Sequence, residues 1–170
     1  MVRIALTNLG KYNEGILVYG WLDLPFSDEE MDQVLQAIGI DDEVYEEYFI
    51  SDYETDIIGL EIDEYTNLYR LNDLIAEYDA LHEHDQKKIQ ASMEYFGYNL
   101  EEALERLDNL VLYEGVETLE DLGRYWAEVM DLFKGKEFFE NYFDFERYGR
   151  DIDINGTGGF SSFGYIEEIS

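Results

Sequence analysis

Negative charge runs so densely and so evenly through this chain that any fold it reaches must wear that charge on its outside. Asp and Glu number 41 against 11 Lys and Arg, a formal net charge of -30 on 170 residues. Self-repulsion of this size opposes compaction, and solubility alone asks for a net charge of only about 2–8 in magnitude. Residues 1–61 hold 15 acidic and 2 basic side chains, residues 62–103 hold 10 and 3, and residues 104–170 hold 16 and 6. An acidic tail would gather its charge in one block. Here the acids are interleaved with apolar residues throughout, so the negative surface belongs to the fold itself.

Many acidic chains are disordered, but this one is 46% hydrophobic and 16% aromatic, with 15 Tyr, 10 Phe and 2 Trp, which is enough apolar material to fold. A single Pro and the lack of a Gly/Ser-rich stretch argue against a flexible linker. The longest apolar runs, around Ile16 to Leu22 and Leu110 to Tyr113, fall far short of the roughly 20 residues that span a bilayer. The first residues lack the apolar core and cleavage site of a signal peptide, and cysteine is absent. The expectation is a cytoplasmic protein without disulfides.

Val2, Ile4 and Leu6 alternate as in a strand, a turn-rich stretch from Asn8 to Gly15 follows, and Ile16 to Leu22 resumes a β-type run that Pro25 closes. Ser27 with Glu30 is a capping box that opens a helix through Ile38, and Gly39 stops it. Val44 to Asp52 returns to strand composition. From about Ile62 the apolar spacing becomes helical, with stripes at Leu68, Leu71, Leu74, Ile75 and Tyr78, at Ile89, Met93 and Phe96, and at Leu100, Ala103, Leu104 and Leu107. Leu110 to Tyr113 reads as a short strand and Thr118 with Asp121 as a second capping box, while Asp151 to Ile169 reads as a hairpin. These patterns predict an α+β fold strung out as about three small domains. They are a β-rich N-terminal domain over 1–61, a helical domain over 62–103 and a mixed C-terminal domain over 104–170.

No catalytic constellation stands out. Asp151-Ile152-Asp153-Ile154-Asn155-Gly156 matches the start of an EF-hand calcium loop, but the twelfth position is Ser162 where a bidentate Glu is required, so a hairpin turn is the preferred reading. His82 and His84 are two apart, which on a helix places them on different faces, and no third ligand has a recognisable spacing. Gly156, Gly158 and Gly159 have no basic residue to hold a phosphate. Carboxylate pairs carry no signal where every acid has acidic neighbours. These residues single out no general acid or base, and neither a metal nor a cofactor is expected.

The closest physical comparison is a nucleic acid. Duplex DNA carries about one charge per 1.7 Å, so a charge of -30 corresponds to about 50 Å or roughly 15 base pairs of phosphate. A protein that imitates DNA is the leading expectation, with carboxylates accepting the hydrogen bonds that Arg and Lys of a DNA-binding protein give to phosphate. In the first segment the expected contacts are Asp28, Glu29, Asp32, Asp41, Asp42, Glu43, Glu46, Glu47, Asp52, Glu54 and Asp56. The second contributes Asp73, Glu77, Asp79, Glu101 and Glu102, and the third Asp108, Glu114, Glu117, Glu120, Asp121 and Glu128. Aromatic residues between Trp126 and Tyr148 exceed what one short helix can bury, which points to self-association through Trp126, Val129, Met130, Phe133 and Phe138. Two rivals stand beside this reading: an acidic binding module or chaperone for a basic DNA-binding protein, and an enzyme adapted to high salt.

Four stretches carry a further likeness: Asn8 through Gly15, Trp21-Leu22-Asp23-Leu24-Pro25, Glu46 through Glu54, and Tyr148-Gly149-Arg150-Asp151-Ile152. Together they resemble the ArdA antirestriction family over essentially the full length. The resemblance implies a non-enzymatic protein of mobile genetic elements, an elongated curved homodimer whose carboxylates imitate the phosphates of bent B-form DNA. It also implies inhibition of type I restriction-modification enzymes by occupation of their DNA-binding groove, with no direct binding of nucleic acid and none of membranes.

Overall fold

The structure, a computed structural model, describes residues 1–41 and 43–169. The chain is mixed α and β and divides into two compact units, Met1–Leu81 and His82–Ser170, each with its own three-stranded antiparallel sheet. The boundary falls inside the 62–103 segment, whose first helix belongs to one unit and whose later helices belong to the other.

In the first unit β1 (Val2–Asn8) is the central strand, flanked by β2 (Tyr19–Leu24) and β3 (Tyr48–Thr55). Its register sets Leu6 against Gly20 and Ile4 against Leu22, and on the other side Thr7 against Phe49, with a shift between Ala5 and Leu6. Helix α2 (Asp28–Ile38) covers the face carrying Ile4 and Leu6: a Cβ on Gly20 would lie 3.1 Å from both Ile38 and Val34. Met31 and Ile38 of α2 are buried, as are Leu22 and Leu24 of β2. Both expected terminal signals of α2 are present, the Ser27–Glu30 capping box and Gly39 in the left-handed region with φ 77°. Helix α3 (Leu68–Asp79) buries its predicted stripe, and Asn72 ties it back by accepting from the Phe26 amide at 2.7 Å.

The stretch expected as a plain turn after β1 holds a five-residue helix, α1 (Leu9–Asn13). Asn8 organises it. Its fully buried side chain caps α1 by accepting from the Lys11 amide at 2.9 Å, and its Nδ2 donates to the carbonyls of Ile38 and Gly39 at 3.2 and 3.1 Å. One side chain thereby joins the end of β1, the start of α1 and the last turn of α2. Lys11 donates to the same Ile38 carbonyl at 3.3 Å.

The second unit opens with α4 (Glu83–Phe96) and α5 (Leu100–Glu105), followed by a 3-10 turn (Leu107–Asn109) and β4 (Leu110–Tyr113). Helix α6 (Leu119–Val129), the 3-10 turn Glu137–Tyr142 and α7 (Phe145–Asn155) lead to the hairpin of β5 (Gly159–Ser161) and β6 (Gly164–Glu168). The sheet runs β4-β6-β5, and Ala91 of α4 packs with Leu110, Leu112 and Ile166 from it. A second cluster joins Val116, Leu122 and Tyr165, with Trp126 and Ile152 against them.

The C-terminal expectation needs correction. Asp151 to Asn155 do not enter a hairpin; they are the last turns of α7, and the hairpin begins only at Gly159. The alternation of Ile152 and Ile154 is misleading, because Ile152 packs inward while Ile154 is exposed, as suits helical spacing. Asp151, Asp153 and Asn155 are thus spread around a helix instead of lining a cation loop.

Helices α6 and α7 meet backbone to backbone. A Cβ on Gly123 would lie 2.0 Å from the Phe145 carbonyl oxygen, and one on Gly149 would lie 1.8 Å from that of Leu119. The Tyr148-Gly149-Arg150 motif is therefore a packing device. We expect Gly149→Ala to cost about 1–3 kcal/mol or more through overpacking, read as a lowered urea midpoint at unchanged slope. Wild-type stability in that variant would show that the two helices can separate without penalty.

Candidate functional site

Charged side chains cover the exterior of the described residues, and one concavity of about 420 Å³ is lined by Arg124, Glu128, Asp131, Lys134, Glu137 and Glu140. No group of three or more His, Asp or Glu among the described residues is placed to hold a metal ion, and no helix is long and apolar enough to cross a membrane. The largest side-chain resource is the carboxylate surface, and the structure sorts its members by what they touch.

One class is tied into the fold. Asp41 accepts at a single oxygen from the amides of Val44, Glu43 and Tyr45 at 2.6, 3.0 and 3.2 Å, which holds its carboxyl below the ordinary range. Glu54 receives the Arg3 guanidinium at 2.8 Å and is lowered by it. Asp56 pairs with the N-terminal ammonium of Met1. In the second unit Glu102 completes a capping box with Asn99, and Asp121 completes one with Thr118, whose hydroxyl donates at 2.7 Å and lowers the acid. His84 at 2.6 Å and Lys87 at 2.9 Å hold Glu114 low, and Glu120 bonds Arg124 one helical turn away. Glu101 is half-buried and also engaged.

The other class projects into solvent. Asp28 and Glu29 lie on the first turn of α2, where the helix dipole favours anions, with Asp32 exposed one turn further on; Glu29 accepts from Gln33 at 3.4 Å. Glu43, Glu46 and Glu47 are exposed on the approach to β3, and Asp73, Glu77 and Asp79 on the outer side of α3; Asp52 is exposed on β3 itself, where it accepts from the Tyr53 amide at 2.8 Å. Asp108, Glu117 and Glu128 are exposed in the second unit. Asp42 lies outside the described residues. Exposed Asp23 and Glu61 belong to the same population, whereas Asp63 is tied into its turn by the amide of Tyr65 at 2.8 Å and the hydroxyl of Thr66 at 3.3 Å.

The two units differ in charge balance. The first holds 20 acids and 3 basic residues, the second 21 and 8. Cations in the second unit are largely spent on local pairs, such as Lys88 with Asp85 at 3.3 Å and Arg150 with Glu146 at 2.8 Å. The stronger negative field therefore belongs to the first unit.

The residues expected at a dimer contact also separate. Trp126 and Phe133 are half-buried within their own unit, Trp126 in its core and Phe133 against the rings of Phe143 and Phe145 at 5.1 and 5.9 Å. Val129, Met130 and Phe138 are exposed, and the Phe138 ring meets those of Phe139 and Tyr142 at 5.8 and 5.3 Å; Phe138 is 67% and Tyr142 74% accessible.

The acidic side chains thus stand on the helices, strands and turns of both units, some anchored to the fold and others exposed. The family model of the antirestriction protein ArdA matches residues 4–167, nearly the whole chain, and the chain belongs to that family. No curated protein matches it. Membership makes it an antirestriction protein, whose counterpart is a restriction enzyme.

The tied carboxylates give a pH prediction. A carboxyl lowered in the folded state adds stability that is present above its unfolded value, about 4, and is lost as pH falls through the folded value. Asp121 is such a group, so Asp121→Asn should lose less stability than wild type between neutral pH and about pH 3. Parallel urea titrations at the two pH values check this; an equal acid loss in both proteins would show that the Thr118 cap contributes nothing.

Proposed function

We propose that this protein inhibits type I restriction-modification enzymes as a DNA mimic, its exposed carboxylates taking the place of phosphates in the enzyme's DNA-binding groove. The observation that carries the reading is the set of carboxylates on α2, on the approach to β3 and on α3 that are exposed without an ion pair among the described residues, in a unit with 20 acids and 3 basic residues. Such charges repel one another and, beyond the helix dipole at the start of α2, add little to folding, so their retention is explained by a partner that neutralises them. Acting by occupation, the protein needs no catalytic group and no cofactor. Family membership supports the partner's class.

In this reading the protein works in the cytoplasm, where its target resides, as a homodimer. A two-fold pair doubles the covered length beyond the roughly 15 base pairs that one chain's charge represents. The exposed apolar side chains of Val129, Met130 and Phe138 support a contact there, since an interface between like-charged chains must draw its stability from apolar burial. Phe133 packs in its own unit and Phe138 does not, so Phe138→Asp is the cleaner probe. It should give a folded monomer with weakened but not abolished inhibition, measured by sedimentation across a concentration series. A wild-type chain that stays monomeric at micromolar concentration in physiological salt overturns the dimer.

Competition with duplex DNA for a purified type I enzyme tests the mechanism. Affinity should fall by about tenfold or more between about 50 and 200 mM salt, in the manner of DNA. Replacing Asp32, Asp73, Glu77 and Asp79 together by their amides should weaken inhibition strongly while leaving thermal stability equal or higher. A flat salt response, or one carboxylate whose loss alone abolishes inhibition, would overturn the mimicry; the latter would favour a discrete site over a distributed one.

A further inference from the structure

We propose that the open face of the first unit's sheet is an arginine-receiving surface, on which aromatic rings and carboxylates together hold guanidinium groups of the basic partner. The inference rests on the reading of the acidic surface as a receptor for a DNA-binding enzyme, and names a part of that contact that phosphate chemistry does not supply.

The face follows from the register. Alternation along the strands puts Arg3, Ala5 and Thr7 of β1 on the side away from α2. Their cross-strand neighbours are Tyr19, Trp21 and Asp23 on β2, and Phe49, Asp52 and Glu54 on β3. Its flanking residues are open, with Asp23, Asp52 and Glu54 exposed and Tyr19 53% accessible, while the small side chains of Ala5 and Thr7 on the central strand lie buried beneath them. Tyr12 of α1, 54% accessible, extends it by meeting the edge of Phe49 with ring centroids 5.5 Å apart.

The chain's own Arg3 already occupies one position of this surface and displays the binding mode. Its guanidinium carbon lies 4.5 Å from the centre of the Trp21 ring while Nε donates to Glu54 at 2.8 Å. The ring's negative face and the carboxylate act on the same cation. The pattern recurs in the other unit, where Arg106 lies 4.8 Å over Tyr98 and bonds Glu168 at 2.8 Å, and Arg124 lies 4.2 Å over Phe145 and bonds Glu120 at 2.7 Å. Tyr12, Tyr19 and Phe49 offer the same ring chemistry with no cation of the chain placed over them among the described residues, and Asp23 and Asp52 supply negative charge on the same face. A planar guanidinium uses both components, whereas an ammonium is more strongly hydrated and loses more on leaving water. The surface is therefore selective for arginine over lysine, and part of its attraction survives salt that screens the carboxylates.

Nine-residue oligoarginine and oligolysine peptides of equal charge test this on the full-length protein, independently of any enzyme. Wild type should bind oligoarginine more tightly, with the preference growing as salt rises. The double variant Tyr12→Leu/Tyr19→Leu keeps the charge and apolar bulk but lacks the rings, and should lose about threefold to tenfold of the arginine affinity with an unchanged salt slope. Tyr12→Phe/Tyr19→Phe, which keeps the rings, should retain it, and circular dichroism of both variants establishes that the sheet is intact. Equal binding of the two peptides, or a leucine variant indistinguishable from the phenylalanine variant, overturns the proposal. Loss of arginine preference without loss of inhibition in the DNA competition would remove this surface from the mechanism and leave the mimicry standing. Normal peptide selectivity with no enzyme inhibition would instead remove the mimicry and leave the arginine-receiving surface standing.

Discussion

Repulsion between like charges is the constraint under which both units are built. A chain with a net charge of -30 folds only if apolar burial and local pairing outweigh the tendency of its surface to fly apart. The aromatic content answers the first requirement: fully buried Tyr165 sits at the centre of the second unit, with Tyr113, Trp126 and Phe160 packed around its cluster. Anchoring of selected carboxylates to backbone amides and hydroxyls answers the second. Asp41, Glu102 and Asp121 each convert a negative charge into a hydrogen-bond acceptor for groups that a turn or helix end would otherwise leave unmade.

That anchoring separates two roles that composition merges. An acid spent on a cap or an ion pair is a structural element whose charge happens to face water, and removing it costs the fold. An acid such as Asp73 on the outside of α3 has no such duty. The imbalance between the units follows from where the cations were placed: Lys87, Lys88, Arg124 and Arg150 each neutralise a neighbour in the second unit. The chain thereby keeps one region well compensated and another strongly negative, although acids are nearly equal in number in both.

Much of the local structure was legible because it is encoded by short-range chemistry. Ser27 with Glu30, Thr118 with Asp121 and the glycine at position 39 act within one helical turn, and all three form as their spacing predicts. What was not legible depends on partners distant in sequence. Nothing local reveals that Asn8 bonds carbonyls 30 and 31 positions away, or that Gly123 and Gly149 sit where two backbones cross. The error at Asp151 to Asn155 has the same origin, for two isoleucines separated by one residue fit a strand or the end of a helix until packing against Tyr165 decides. The acidic surface was legible as a whole, but its division into anchored and free members needed coordinates.

The open sheet face adds a physical reason why an acidic protein can compete with DNA without copying its charge density. Phosphates attract through charge and charge-assisted hydrogen bonds, both of which weaken as salt rises, and carboxylates in their place share that dependence. Rings beside those carboxylates supply a second attraction, one that depends on the shape and polarisation of the guanidinium and is less sensitive to ions. Arg3 between Trp21 and Glu54 shows that this sheet can hold such a cation at its surface. The aromatic content then has two uses, because the large side chains that let a self-repelling chain bury a core also, where the sheet is left uncovered, give its surface a means of holding arginine that phosphate lacks.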